Sequence, residues 1–240
     1  LKRISIYCLI VALLIFTISI RSASAAEEKW SIGPLFEVSF IMGGQAGEIS
    51  HGEWDPPDWH PATGNLLETG WGGGIELGWR FDENWEAIFG AGYIFHHGNS
   101  ISLSNTSGEQ VMVVDFDDFH LVPIYTGMKV LLSNKPDEGL VPYLRADIGA
   151  VWMSKVNAGL LFYGTPSEVT WWDSSFRFMW DIGGGLEYRT GKWGGFIELL
   201  NRNSSSPKTG TLDEFGDPSL DTEATNWGAL KIRVGANLYF

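Results

Sequence analysis

The chain has 240 residues, 44% hydrophobic and 19% charged, with a formal net charge of −13, 30 glycines, 12 tryptophans and one cysteine. A mean hydropathy of −0.02 is far too polar for a bundle of membrane helices, and the acidic balance disfavours nucleic-acid binding, which needs a basic footprint. So much glycine suits a sheet in which backbones crowd or side chains are omitted.

Lys2 and Arg3 precede an uncharged run over 4–20, followed by Arg21 and the small-residue site Ala23-x-Ala25. A basic start, an apolar run and such a site make a secretory signal peptide. The predicted layout is a signal peptide over 1–25 and one domain over 26–240; the alternative is an uncleaved anchor helix. Cys8 lies in the leader, so the rest has no cysteine and no disulfide or thiol chemistry. Losing Lys2, Arg3 and Arg21 leaves 13 basic against 29 acidic residues.

Eight strand-like segments follow, at about 33–43, 70–81, 85–97, 118–132, 141–153, 175–190, 192–202 and 228–240. Their mark is strict period two, the signature of a strand with two unlike faces. In the sixth, Phe176, Phe178, Trp180, Ile182, Leu186 and Tyr188 oppose Arg177, Asp181, Glu187 and Arg189. In the fifth, Leu144, Ala146, Ile148, Ala150 and Trp152 oppose Arg145, Asp147 and Gly149. The last is the cleanest: Leu230, Ile232, Val234, Ala236, Leu238 and Phe240 share one face, and Lys231, Arg233, Gly235, Asn237 and Tyr239 the other.

The connections alternate as well. Short ones at 82–84, 133–140 and 190–192 follow even-numbered segments; long ones near 44–69, 98–117, 154–174 and 203–227 follow odd-numbered ones. An even count of strands with short turns on one side and long loops on the other matches a transmembrane β-barrel. The predicted fold is therefore all-β: an eight-stranded, antiparallel, up-and-down barrel with both termini periplasmic and the long loops extracellular. A soluble barrel with its apolar face inward is the alternative. Arginines and carboxylates on the polar face of nearly every segment speak against it. Trp79, Phe81, Trp85, Tyr188, Trp193 and Phe240 are expected to form one interfacial girdle, and Trp71, Phe95, Trp152, Phe178 and Trp227 the other. The second and third long connections are expected to contain structure of their own; in the second, 101–104 and 111–114 flank the turn sequence Asn105-Thr-Ser-Gly108 and predict a hairpin beyond the membrane.

An eight-stranded barrel has an interior just wide enough for side chains to fill. Glu37, Glu76, Arg145, Asp147, Asp181, Glu198 and Arg233 are expected inside at middle depth as a salt-bridge network, with Arg80, Glu86, Lys129, Glu187 and Arg189 nearer the periplasmic end. Glu37, Glu76 and Glu198 should surround Arg145 and Arg233. Such a lumen is either a salt-bridged plug or a narrow gated pore for small solutes.

Counted over 44–69, 98–118, 154–173 and 203–227, the long connections hold 16 acidic against 2 basic residues. An acidic surface favours cations or basic partners over anionic ones. In the first of them, His51, Glu53, Asp55, Asp58 and His60 are the residue types that suit a divalent metal, on a spacing that equally suits a stiff Pro-rich loop; His96, His97 and His120 are lesser candidates. No cofactor is expected.

Strand periodicity, turn alternation, Pro142-Tyr143, the glycine-rich sixth segment and the terminal Phe240 together resemble the small bacterial outer-membrane β-barrels of the OmpX, OmpA-domain and OmpW kind. That resemblance implies a monomer in contact with outer-membrane lipid and lipopolysaccharide, with Phe240 read as an assembly signal by the barrel-assembly machinery, and a structural or adhesive role. The stretches 178–189, 196–201 and 204–207 are also similar to the end of the lipid A deacylase barrels. Those enzymes carry His-x-Ser-Asn on the penultimate strand, because serine needs histidine as its base; the matching residues here are Leu199-Leu200-Asn201-Arg202. No catalytic residue is carried over, and a non-enzymatic protein is expected.

Overall fold

In a strand, residues two apart share a face, so a segment such as 176–189 can satisfy both lipid and lumen only by closing with its neighbours. The computed structural model describes residues 29–43, 48–49, 66–104, 110–133, 136–162, 165–210, 220–221 and 227–240. The expected signal peptide and the five metal candidates His51, Glu53, Asp55, Asp58 and His60 lie outside the described residues. The strands are β1 (Lys29–Gly43), β2 (Glu48–Ile49), β3 (Gly70–Asp82), β4 (Trp85–His96), β5 (Ser100–Ser104), β6 (Gln110–Phe116), β7 (Phe119–Leu131), β8 (Gly139–Met153), β9 (Val156–Phe162), β10 (Thr165–Asp173), β11 (Ser175–Thr190), β12 (Trp193–Ser204), β13 (Lys208–Thr209), β14 (Leu220–Asp221) and β15 (Trp227–Tyr239).

Eight of them close into an antiparallel barrel in the order β1-β15-β12-β11-β8-β7-β4-β3. These are the eight segments read from the sequence. The closing pair sets Glu37 opposite Arg233 and Val38 opposite Ile232. Closure leaves no open edge, the condition a sheet must meet in hydrocarbon. At the rim of short turns, Asp82 Oδ1 accepts the Asn84 N–H at 3.2 Å. Gly139 and Gly191 turn the chain at φ 82° and 56°, a left-handed conformation that glycine adopts without Cβ strain.

The outer wall is apolar. Ile75, Ile124, Leu144, Ile148, Ile182 and Leu199 each expose more than half of their surface. That orientation excludes the soluble alternative, in which this face would point inward. Inside, missing side chains make room for large ones: a Cβ on Gly90 would meet the Tyr125 ring at 2.3 Å, and one on Gly235 the Phe196 ring at 2.4 Å.

Beyond the long-loop rim stands a second sheet, β13-β10-β9-β6-β5. The predicted hairpin β5–β6 is present. The third long connection, expected to contain structure of its own, is also a hairpin, β9–β10, and the two join edge to edge through pairs such as Val114↔Leu160 and Phe116↔Ala158. The Ser154 N–H donates to the His120 carbonyl at 2.9 Å, and the Asp117 N–H to the Asn157 carbonyl at 2.9 Å. These bonds tie this crown to the barrel strands below it. A register shift between Thr170 and Trp172 in β10 turns two consecutive tryptophans inward. Trp171 packs edge-on against Phe116, at 5.3 Å between ring centroids, and Trp172 lies 5.6 Å from Phe119. With Leu66, Leu67, Ile94 and Met153 they form one apolar core that fills the barrel mouth under the crown.

One girdle residue is corrected. Trp227 is buried, 2% exposed, and packs on Phe119 and Trp172. It lies in the inward row of β15 with Ala229 and Lys231, so period two excludes it from the outer wall. Trp71 and Phe178 do face outward.

Candidate functional site: charged lumen and crown

The inward rows of the barrel strands bring seven acidic and seven basic side chains into the buried interior. At its centre Arg145, on β8, has no exposed side-chain surface. Its Nη2 lies 2.7 Å from Glu76, its Nη1 2.7 Å from Glu198 and its Nε 2.9 Å from Asp147. Lys129 Nζ lies 2.9 Å from Glu76 and 3.8 Å from Glu198. The tyrosine hydroxyls fill remaining acceptor positions, Tyr143 donating to Glu198 at 2.8 Å and Tyr125 to Glu76 at 3.2 Å. A second group gathers around Glu37 and Asp181. Arg233 Nε is 2.6 Å from Glu37, Arg202 Nε 3.1 Å from Asp181, and Lys231 Nζ 2.5 Å from Asp181 and 3.7 Å from Glu37. Arg233 Nη1 links the groups, 3.9 Å from Glu198 and 4.0 Å from Asp147.

All seven residues expected at middle depth therefore lie in this network. Two expectations about it change. Glu37 sides with Arg233 and does not reach Arg145, and Lys129 belongs to the centre because its long stem carries the ammonium up to Glu76. Arg202 and Lys231 were not assigned to the network from sequence. Their signal was present, since Arg202 follows Leu200 and Lys231 precedes Arg233 by two positions on inward rows.

The short-turn rim is closed separately. Arg189 bridges Glu187 at 2.8 Å and Glu86 at 3.2 Å and donates to the Pro136 carbonyl at 2.9 Å. Asp137, in the β7–β8 turn, accepts from Lys29 Nζ at 2.7 Å and from Arg80. These two cations stand on β1 and β3, so the turn reaches across the opening. Burial works against the ionised form of Asp137, but the hydrogen bonds and charges of Lys29 and Arg80 outweigh it and hold its carboxyl below the usual range. Phe240 sits at this rim with its ring outward, its backbone exchanging two 3.0 Å hydrogen bonds with Trp30.

Buried charges persist only when paired and hydrogen-bonded, and an apolar wall around a charged, balanced interior has lipid as its only compatible surroundings. The chain is a closed eight-stranded antiparallel β-barrel whose wall fits a membrane. Solved barrels of this kind are similar to it. They include Ail, the attachment invasion locus protein of Yersinia pestis (13% identity, TM-score 0.44, covering 90% of this chain and 100% of that one). Neisserial surface protein A is similar at 11% identity and TM-score 0.42, covering 88% and 97%. The outer membrane protein OprG from Pseudomonas aeruginosa is similar at 9% identity and TM-score 0.44, covering 88% and 95%. No protein-family model and no curated protein matches the chain.

The stretch aligned with the deacylase motif divides by face. Leu199 and Asn201 point outward, while Leu200 and Arg202 are buried, Arg202 against Asp181. The histidines near the long-loop rim are spread apart in role. His96 is buried and its Nδ1 donates to the Glu68 carbonyl at 2.9 Å; His97 pairs with Asp118 at 2.6 Å; His120 Nδ1 lies 2.7 Å from the Tyr93 hydroxyl. Among the described residues no group of three or more His, Cys, Asp or Glu could hold a metal ion.

The crown presents two faces. Val114, Phe116, Ala158 and Val169 look into the core, and Val113, Asp115, Gly159, Leu161, Pro166 and Glu168 look away from it. Lys208 is neutralised by Asp173 at 2.9 Å.

Proposed function

We propose that the protein is a closed, non-enzymatic surface barrel, with its termini periplasmic and its crown and long loops outside the cell, where they contact cationic or basic partners. The observation that carries this is the filled interior: a balanced ionic network through the middle of the barrel, an apolar core at one mouth and the Asp137 turn across the other. A pore needs a continuous wet path, and eight strands leave room only for side chains. What remains available for interaction is the part beyond the membrane, where carboxylates dominate and repel anionic macromolecules. Lipopolysaccharide and outer-membrane lipid would surround the wall, and the barrel-assembly machinery would insert it.

Planar-bilayer recording should give no stepwise conductance from purified protein, and lipid A from cells with and without the gene should give the same acyl pattern by mass spectrometry. Steady ohmic channels would establish the pore reading, and a changed acyl pattern the lipid A-modifying one. Protease added to intact cells should cut within 44–69 or 203–227. Cuts confined to 82–84 and 134–139 would reverse the orientation.

A further inference from the structure

The outward face of the crown carries a pattern that the acidic composition alone does not. Strand partners share a face, and the register sets Asp115 beside Gly159 and Gly159 beside Glu168. Two carboxylates therefore flank one residue that has no side chain. Their backbone positions stand about 10 Å apart, two strand spacings, which leaves room over Gly159 for an ammonium or guanidinium. The Gly159 position is open, because a Cβ built there would come no closer than 3.8 Å to a neighbour, the Asp115 carbonyl oxygen. Asp115 is oriented by the Ser100 hydroxyl, which donates to its Oδ1. The next row on the same face pairs Val113 with Leu161 and Leu161 with Pro166. Leu161 is 44% exposed, an apolar strip beside a charged notch.

We infer that this face seats an extended segment of a partner protein, with a basic side chain in the notch over Gly159 and apolar side chains on the Val113–Leu161–Pro166 row. The occupant follows from charge and shape. A second copy would bring Asp115 and Glu168 against the same carboxylates, and an anionic lipid surface would be repelled. A basic group gains two opposite charges at once, while apolar neighbours cover the exposed strip, the combination in which polar groups set register and apolar contact supplies affinity. The inference rests on the surface-contact reading above and names its partner class and its seat.

The test uses the full chain in zwitterionic nanodiscs, with empty nanodiscs as the blank, and follows the fluorescence anisotropy of labelled peptides. The probe has one arginine between two valines in a glycine–serine background, and the controls are its glutamate counterpart and tetralysine. The valine-flanked arginine peptide should bind best. The double variant D115N/E168Q and, separately, Gly159→Phe should each weaken it about tenfold, as two exposed charge pairs or a filled notch would. Neutralising Asp213 and Glu214 in the last long connection should leave binding unchanged. Heat-modifiable gel mobility confirms that each variant is folded. If the loop variant weakens binding and the crown variants do not, or if tetralysine binds as tightly as the probe, the acidic surface acts without this seat and the inference falls. If neither cationic peptide binds the wild type, the surface-contact reading falls with it.

Discussion

Arg145→Ala tests the lumen most directly. The guanidinium is held by three carboxylates, at 2.7 Å from Glu76, 2.7 Å from Glu198 and 2.9 Å from Asp147, with no exposed side-chain surface. Removing it leaves seven acidic groups facing six basic ones in the buried interior. Breaking a buried pair by deleting one partner typically costs about 3–5 kcal/mol, because the other charge stays buried and uncompensated. The comparison is Lys208→Ala, whose pair with Asp173 is 60% and 36% exposed; such a pair contributes at most about 1 kcal/mol. Guanidinium unfolding in micelles, followed by tryptophan fluorescence, should separate the two variants clearly. Adding Glu198→Gln to Arg145→Ala removes one of the stranded charges and should recover about 1–3 kcal/mol, the usual coupling of residues in one network. Equal stabilities for Arg145→Ala and Lys208→Ala, or no recovery in the double variant, would refute the reasoning and show that water screens the lumen.

Trp172→Ala removes an indole packed on Phe119 and Trp227 and should cost about 3–5 kcal/mol, felt in the crown before the barrel. Limited proteolysis should then cut the crown strands while the heat-modifiable shift of the barrel persists; an unchanged digestion pattern would show that the crown is not held by this core. Asp137 gives a pH dependence of known sign. Its depressed carboxyl contributes stability that is present above the unfolded-state value and is lost as pH falls through the folded one. Protection of the Leu132 amide, which donates to the Pro142 carbonyl at 2.8 Å beside this turn, should therefore fall on acidification, read as hydrogen exchange relative to the intrinsic rate at each pH. Asp137→Asn should lose that extra dependence, and its retention would place the titrating group elsewhere.

Period-two alternation ties each residue to a face, so the residues alone determined the eight barrel strands and the inward position of Glu37, Glu76, Arg145, Asp147, Asp181, Glu198 and Arg233. The same rule put Lys231 on the row of Arg233, and it covers Arg202 and the inward Trp227 as well. Partner choice inside the lumen was different. That Arg145 meets Glu76 across the barrel while Glu37 turns to Arg233 depends on strand tilt and on how far each side chain reaches, which one strand's sequence does not contain. The crown, in the joining of its hairpins, was beyond reach for a related reason. Its central pairing joins 112–116 to 158–162, two short hairpins separated in the chain by two barrel strands, each too brief to show a period of its own. Its inward Trp171-Trp172 pair breaks alternation through the irregularity at Thr170. Only the pairing of β7 with β8, which brings the tops of those strands side by side, sets those hairpins edge to edge, and that contact together with Phe119 and Trp227 at the barrel mouth buries the indoles.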